Sequence, residues 1–260
     1  MPEFKDHFSQ SAADYSAFRP EYPEALFEWL AAHTTGHELA WDCATGNGQA
    51  ARGLARHYAQ VVATDASAAQ LEHALAHPRI QYRVAAAEHS GLPAGVDLVT
   101  VAQALHWLPL TAFFAEVQRV LAPGGLMAVW GYGLPSVSSA RFDREIVRFY
   151  DVIVGPYWPP ERKIVEEEYR GVPFPFEEVE VPRFSIEQRL TRPGLEGYLR
   201  TWSATQRYRA AHPDEDPLSH IAPVLVDEWP EQHEARLVRW PVFVRAGHRV
   251  DRGADIRLEQ

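Results

Sequence analysis

Leu39-Ala40-Trp41-Asp42-Cys43-Ala44-Thr45-Gly46-Asn47-Gly48, continued through Gln49–Tyr58 to Val61-Val62-Ala63-Thr64-Asp65, decides the fold. An apolar strand runs into a glycine-bearing turn, a helix-prone segment follows, and a second strand ends on an acid. In a parallel α/β sheet the crevice at the strand ends binds ligands, and glycines there let backbone approach a cofactor closely. An acid about 20 residues past the glycines is where a ribose-binding carboxylate falls in nucleotide folds.

The pattern repeats downstream. Ser67 can cap a helix carrying Ala68, Leu71, Ala74 and Leu75 on one face, ended by Pro78. Ile80–Val84 reads as a strand leading to Ala87 and Glu88, and His89–Pro93 as a loop by its turn residues. Val96–Ala102 is apolar almost throughout, as buried parallel strands are, and runs into Gln103, Leu105, His106 and Trp107. Thr111–Leu121 forms a helical apolar face that Pro123-Gly124-Gly125 stops, and Leu126–Trp130 is a further strand. Strands alternating with helices call for a parallel sheet with right-handed crossovers, so the core is residues 39–131.

A single domain of 260 residues fits around this core. Residues 1–38 form an aromatic arm, with Phe8, Tyr15, Phe18 and Tyr22 beside Arg19, then a helix from Pro23 to His33. The arm reads either as surface packing or as a lid. Residues 135–176 mix prolines with Tyr157, Trp158, Phe174 and Phe176, too aromatic for disorder, and form an ordered insertion covering the strand ends. Residues 177–247 supply a strand at Glu178–Ile186, helices at Pro193–Arg207 and Leu218–Glu228, and a last strand at Leu237–Val244.

Apolar residues make up 46% of the chain, enough for a substantial core, and the net charge is -10. That charge, with no Lys/Arg run, argues against a nucleic-acid partner. Cys43 is the only cysteine, so neither an intrachain disulfide nor a thiolate metal cluster forms. No apolar run reaches the length of a membrane span and the first residues lack a signal-peptide core, so a cytoplasmic protein is expected. The His33/His37 and His73/His77 pairs have helical spacing but no third ligand in a recognised motif, so no metal site is expected.

Together, Asp42–Gly48, Asp65, Ala87-Glu88, Val96–Val99 to His106-Trp107, and Arg119–Gly125 make the chain resemble the class I S-adenosylmethionine-dependent methyltransferases. The glycine turn alone suits nicotinamide-binding folds equally well; the ordered combination is specific. More narrowly, Phe8–Tyr15, Arg19-Pro20, Tyr22-Pro23 and Tyr198–Ser203 resemble the trans-aconitate methyltransferase-like small-molecule group.

The resemblance implies a Rossmann-like, doubly wound sheet of seven strands, mostly parallel, with an antiparallel last strand. It implies S-adenosylmethionine as cofactor, S-adenosylhomocysteine as product, and a small molecule, carboxylic acids included, as acceptor. Gly46 and Gly48 would pass under the amino-acid portion, which Asp42 helps orient; Asp65, with Ala66 beside it, would accept from both ribose hydroxyls; Ala87 and Glu88 would flank the adenine. Gln103 and His106 would lie near the methyl group, His106 doubling as the catalytic candidate, with Tyr15 and Arg19 closing the cofactor set. Trp107, Arg200 and Trp202 fall to the acceptor, Arg19 and Arg200 as its carboxylate-binding arginines. The family often has glycine where this chain has Ala44, so either that position is extended or the cofactor sits slightly farther out.

Each residue also has a plainer reading. Asp65 could cap the following helix, His106 could pack under a loop, Cys43 could be core, and Arg200 and Arg19 could pair with surface acids. A cofactor-retaining protein without turnover, or a nicotinamide oxidoreductase, are the rival functions; the second lacks a Tyr-x-x-x-Lys relay. A monomer or weak homodimer is expected.

Overall fold

A computed structural model describes residues 18–250. The core strands are β1 (Leu39–Cys43), β2 (Gln60–Asp65), β3 (Ile80–Val84), β4 (Val96–Ala102) and β5 (Leu121–Tyr132), all parallel to their neighbours. The last strand, β8 (Arg236–His248), runs antiparallel to β5. Two short strands, β6 (Glu177–Glu178) and β7 (Phe184–Leu190), lie end to end along the outer edge of β8. The order is β3-β2-β1-β4-β5-β8-β6, with β7 also on β8. The expected seventh position is therefore filled by two pieces, and the strand expected over Glu178–Ile186 is broken where Pro182, without an N–H, cannot join the ladder.

Alternation along the strands divides the core into two layers. On β5, Leu126, Ala128 and Trp130 face one layer while Met127 and Val129 face the other. The first layer takes α1 (Glu24–Ala32) and α2 (Gln49–Leu54), together with α5 (Ala140–Arg148), α7 (Arg192–Arg200) and α9 (Ala222–Glu228). The second takes α4 (Leu110–Val120) through Phe113, Val117 and Val120. The helix expected to carry Leu75 is only α3 (Ala68–Leu71), because among the described residues nothing covers its apolar face, and Leu75 stands 63% exposed. The helix expected over Pro193–Arg207 is two, α7 and α8 (Ser203–Ala211), parted at Trp202. Pro123-Gly124-Gly125 does not separate α4 from β5; it forms a bulge inside β5, where the register against β4 shifts.

The segment 135–176 crosses from one layer to the other. Its first half buries Phe142, Phe149 and Val154 in the first layer, and its second half buries Val165, Tyr169 and Phe176 in the second. Between the two, residues 162–166 pack on the turn that follows β4. No helix of the described residues is long and apolar enough to cross a membrane.

Candidate functional site

The chain lays β1, β2 and β3 in one direction and then returns to place β4 and β5 on the other side of β1, so the switch point lies between β1 and β4. Ligands of open α/β sheets sit at the strand ends there. Both strands end on a left-handed residue that is not glycine, Ala44 (φ +54°) after β1 and Gln103 (φ +57°) after β4. Such conformations cost about 1 kcal/mol and gather at functional sites. Ala44 is thus not extended: it keeps the turn a glycine would make.

Gly48 must be glycine on two counts: φ is +83°, and a Cβ would collide with Tyr82 Oη. Over Gly46 the nearest atom to an added Cβ would be Gln70 Oε1 at 3.9 Å, so this part of the turn faces open space. Gly46 N donates to Asp65 Oδ2 at 2.8 Å and Ser67 N to Asp65 Oδ1 at 2.9 Å. The helix cap is Ser67, whose Oγ accepts from Gln70 N; Asp65 instead ties the β2 end to the glycine turn. A carboxylate has about four acceptor positions, so it can hold these amides and still accept from ligand hydroxyls.

Asp42 is fully buried. Its oxygens accept from Thr45 Oγ1 at 2.5 Å and Thr100 Oγ1 at 2.7 Å, and the Ala51 amide adds a further bond. Burial pushes its pKa up to about 6, against the pull of those donors. It clamps β1, β4 and the start of α2 together. Cys43 is buried and its thiol is pushed well up by burial, so it packs as core.

Ala87 is buried and Glu88 half-buried in the loop after β3. A side chain from α4 fixes that loop: Glu116 Oε1 accepts from Ser90 N (2.9 Å) and Ser90 Oγ (2.5 Å). Arg119 binds both Glu116 oxygens at 2.7 Å and reaches Leu92 O at 2.8 Å. Chiefly through Arg119, the Glu116 pKa falls to about 2.

His106 lies in a short 3-10 turn (Leu105–Trp107), its Nδ1 3.3 Å from Tyr169 Oη and its ring 4.6 Å from that of half-buried Trp107. Burial, then the Arg162 charge, push its pKa down to about 3. It is a neutral imidazole across the physiological range, a hydrogen-bonding wall and a weak base. Gln103 Nε2 reaches Tyr132 O at 3.4 Å, linking the β4 end to the β5 end.

Beyond Tyr132 a cavity of about 790 Å³ opens between the crossing segment and β8. Tyr132, Tyr150, Arg162, Phe184 and Val242 are among its walls. The residues expected to meet an acceptor are not in this lining. Arg200 is held by Asp216 at 2.7 Å on the surface, and Trp202 is 3% exposed, packed on Phe149, Tyr150, Trp158 and Tyr198. Arg19 donates to Tyr132 Oη (2.9 Å) and Thr201 O (3.2 Å) and stacks on Tyr198. Tyr15 lies outside the described residues. Sequence reading missed Tyr132, Tyr150, Arg162 and Tyr169; the only hint was the Trp158–Lys163 run of aromatic, prolines and cations.

The open turn at Gly46 and the carboxylate at Asp65 suit a nucleoside-bearing cofactor. The methyltransferase domain family matches residues 41–129, from β1 into β5. A candidate methyltransferase of Dictyostelium discoideum is 33% identical over 229 residues, 86% of each chain. The structure of a candidate type II methyltransferase from Anaeromyxobacter dehalogenans superposes with a TM-score of 0.85 at 44% identity, covering 90% of this chain and 99% of that one. A Haemonchus contortus phosphoethanolamine N-methyltransferase, in complex with phosphomonomethylethanolamine and S-adenosylhomocysteine, shares the fold at 16% identity and a TM-score of 0.50, covering 96% of this chain and 61% of that one. The chain belongs to the class I S-adenosylmethionine-dependent methyltransferases.

Proposed function

We propose that this enzyme methylates a small molecule, with a carboxylic acid as acceptor class. The observation that carries the reading is the cavity of about 790 Å³ beside the β5 end, walled in part by the crossing segment and of a size that takes a small molecule. The narrower kinship with the trans-aconitate methyltransferase-like group draws support from Arg19 meeting Thr201 and Tyr198, since the two motifs that carry it touch each other. We take the enzyme to act in the cytoplasm, as a monomer or weak homodimer, without a nucleic-acid partner.

For the cofactor, Asp65 would accept from the ribose hydroxyls, and Ala66 would border the sugar. Ala44, Gly46 and Gly48 would underlie the amino-acid portion on the frame that Asp42 braces. Ala87 and Glu88 would flank the adenine, on a loop held by Glu116 and Arg119. Gln103 and His106 would stand at the methyl end, with Tyr15 and Arg19 toward the arm and Trp107 toward the acceptor.

When bound, S-adenosylmethionine would supply an electrophilic methyl carbon to the acceptor's carboxylate oxygen and leave as S-adenosylhomocysteine. An ionised acid brings its own electron pair and needs no base, which accords with the low pKa of His106. The protein's part is to align the acceptor and exclude water. The test is incubation with S-adenosylmethionine and a panel of small acids, phenols and amines, scored by S-adenosylhomocysteine release. Turnover of an acid is expected; cofactor binding with no turnover on any member would leave a cofactor-retaining protein.

A further inference from the structure

We propose that Arg162 is the specificity-determining residue for the acceptor, its guanidinium fork receiving a carboxylate in the cavity beside β5; this rests on the small-molecule reading above. Three observations converge on it. Its Nε donates to Tyr150 Oη at 2.7 Å, and the guanidinium carbon lies 4.9 Å from the Trp158 ring centroid and 5.5 Å from that of Tyr150. Plane and direction are therefore set before a ligand arrives, which is what bidentate capture of a carboxylate requires.

The second observation concerns its partners. Among the described residues Arg162 makes no ion pair, and its terminal nitrogens donate no hydrogen bond. Glu166, one helical turn along in α6 (Arg162–Glu166), is engaged by the Tyr150 hydroxyl at 2.5 Å instead. Of the other two cavity arginines, Arg170 pairs with Glu168, while Arg183 is exposed and, lacking among the described residues the aromatic stacking of Arg162, is not held in one plane. Asp151, Glu166 and Glu168 line the cavity along with Arg162, Arg170 and Arg183, so the selection of an anion comes from this prepared fork and not from an excess of positive charge.

Third is position. Arg162 stands where the crossing segment passes between the two core layers, and its charge is felt at His106, just past the end of β4. The helix that carries it packs on the Leu105–Trp107 turn, so a carboxylate seated on it would lie near the proposed methyl end. No charged imidazole competes for it there.

The test is calorimetric titration of S-adenosylhomocysteine-saturated protein with aliphatic and aromatic mono-, di- and tricarboxylates, each paired with its carboxamide. At least one acid should bind, with its amide at least about tenfold weaker, and Arg162→Gln should weaken the acid about 10- to 100-fold. The same variant should leave the S-adenosylhomocysteine affinity unchanged, and in turnover should raise KM far more than it lowers kcat. Arg162→Lys, which keeps charge and stem, guards against a folding defect and should fall between. Acids and amides binding alike, no acid binding, or an unaltered Arg162→Gln would overturn the assignment. If only uncharged acceptors are turned over, the small-molecule reading stands and the role of Arg162 falls; if S-adenosylhomocysteine does not bind at all, the reading beneath it falls first.

Discussion

The proposed cofactor crevice and the proposed acceptor wall belong to the same sheet, yet they are built from different materials. The crevice is backbone: Gly46 and Ser67 amides on Asp65, the left-handed turn at Ala44, Gly46 and Gly48, and a buried Asp42 holding its frame. Most of its bonds close over short separations, such as the 19 residues from Gly46 to Asp65. The wall is side chains: Arg162 and Glu166 meet Tyr150 across 12 and 16 positions, and the cluster is set beside Tyr132, which Arg19 reaches across 113. On the proposed reading, a donor common to the whole family would be met by backbone, and an acceptor particular to the enzyme by aromatics and an arginine on a segment that bridges both layers.

The sharpest way to break the crevice is Gly48→Val. A β-branched side chain at φ +83° against Tyr82 combines left-handed strain with overpacking and should cost about 2–5 kcal/mol, read as a lowered denaturation midpoint. A midpoint equal to wild type would mean that the turn relaxes freely.

Next comes Glu116→Gln, which should cost about 1–3 kcal/mol, because Ser90 and Arg119 lose a charged acceptor. The Glu116 pKa is lowered from 4.5 to about 2, so its contribution is complete above pH 4.5 and fades as pH falls through 2. The wild-type advantage over Glu116→Gln should therefore shrink in acid, and a pH-independent gap would remove the charge from the explanation. The smallest effect is expected from Ala44→Gly: relief of left-handed strain, offset by the freer unfolded chain, should gain at most about 1 kcal/mol. A lower midpoint in that variant would show that the Ala44 methyl packs usefully.

That gradient also marks what could be read from the chain alone. Asp65, the glycines and the core strands announce themselves because each feature obeys local rules of turn and alternation. Ala44 misleads because hard-sphere preference favours φ below zero, and the sheet ends override it. Arg200 and Trp202 stood out by residue type and neighbours, but a surface acid takes the one and the aromatic core the other. Arg162 had no local signature: its importance depends on Tyr150 and Trp158 folding around it and on Glu166 being drawn away. Likewise nothing near Pro182 foretells that the break between β6 and β7 sits beside the cavity wall formed by Val181 and Pro182.

The separation of donor and acceptor sites is tested most directly by titrating S-adenosylhomocysteine into wild type, Asp65→Ala and Trp158→Ala under one set of conditions. The account predicts a loss of about 1.5–3 kcal/mol for Asp65→Ala, where a charged acceptor is removed, and affinity within twofold (~0.4 kcal/mol) of wild type for Trp158→Ala. Unchanged affinity in Asp65→Ala, or an equal loss in Trp158→Ala, would contradict it.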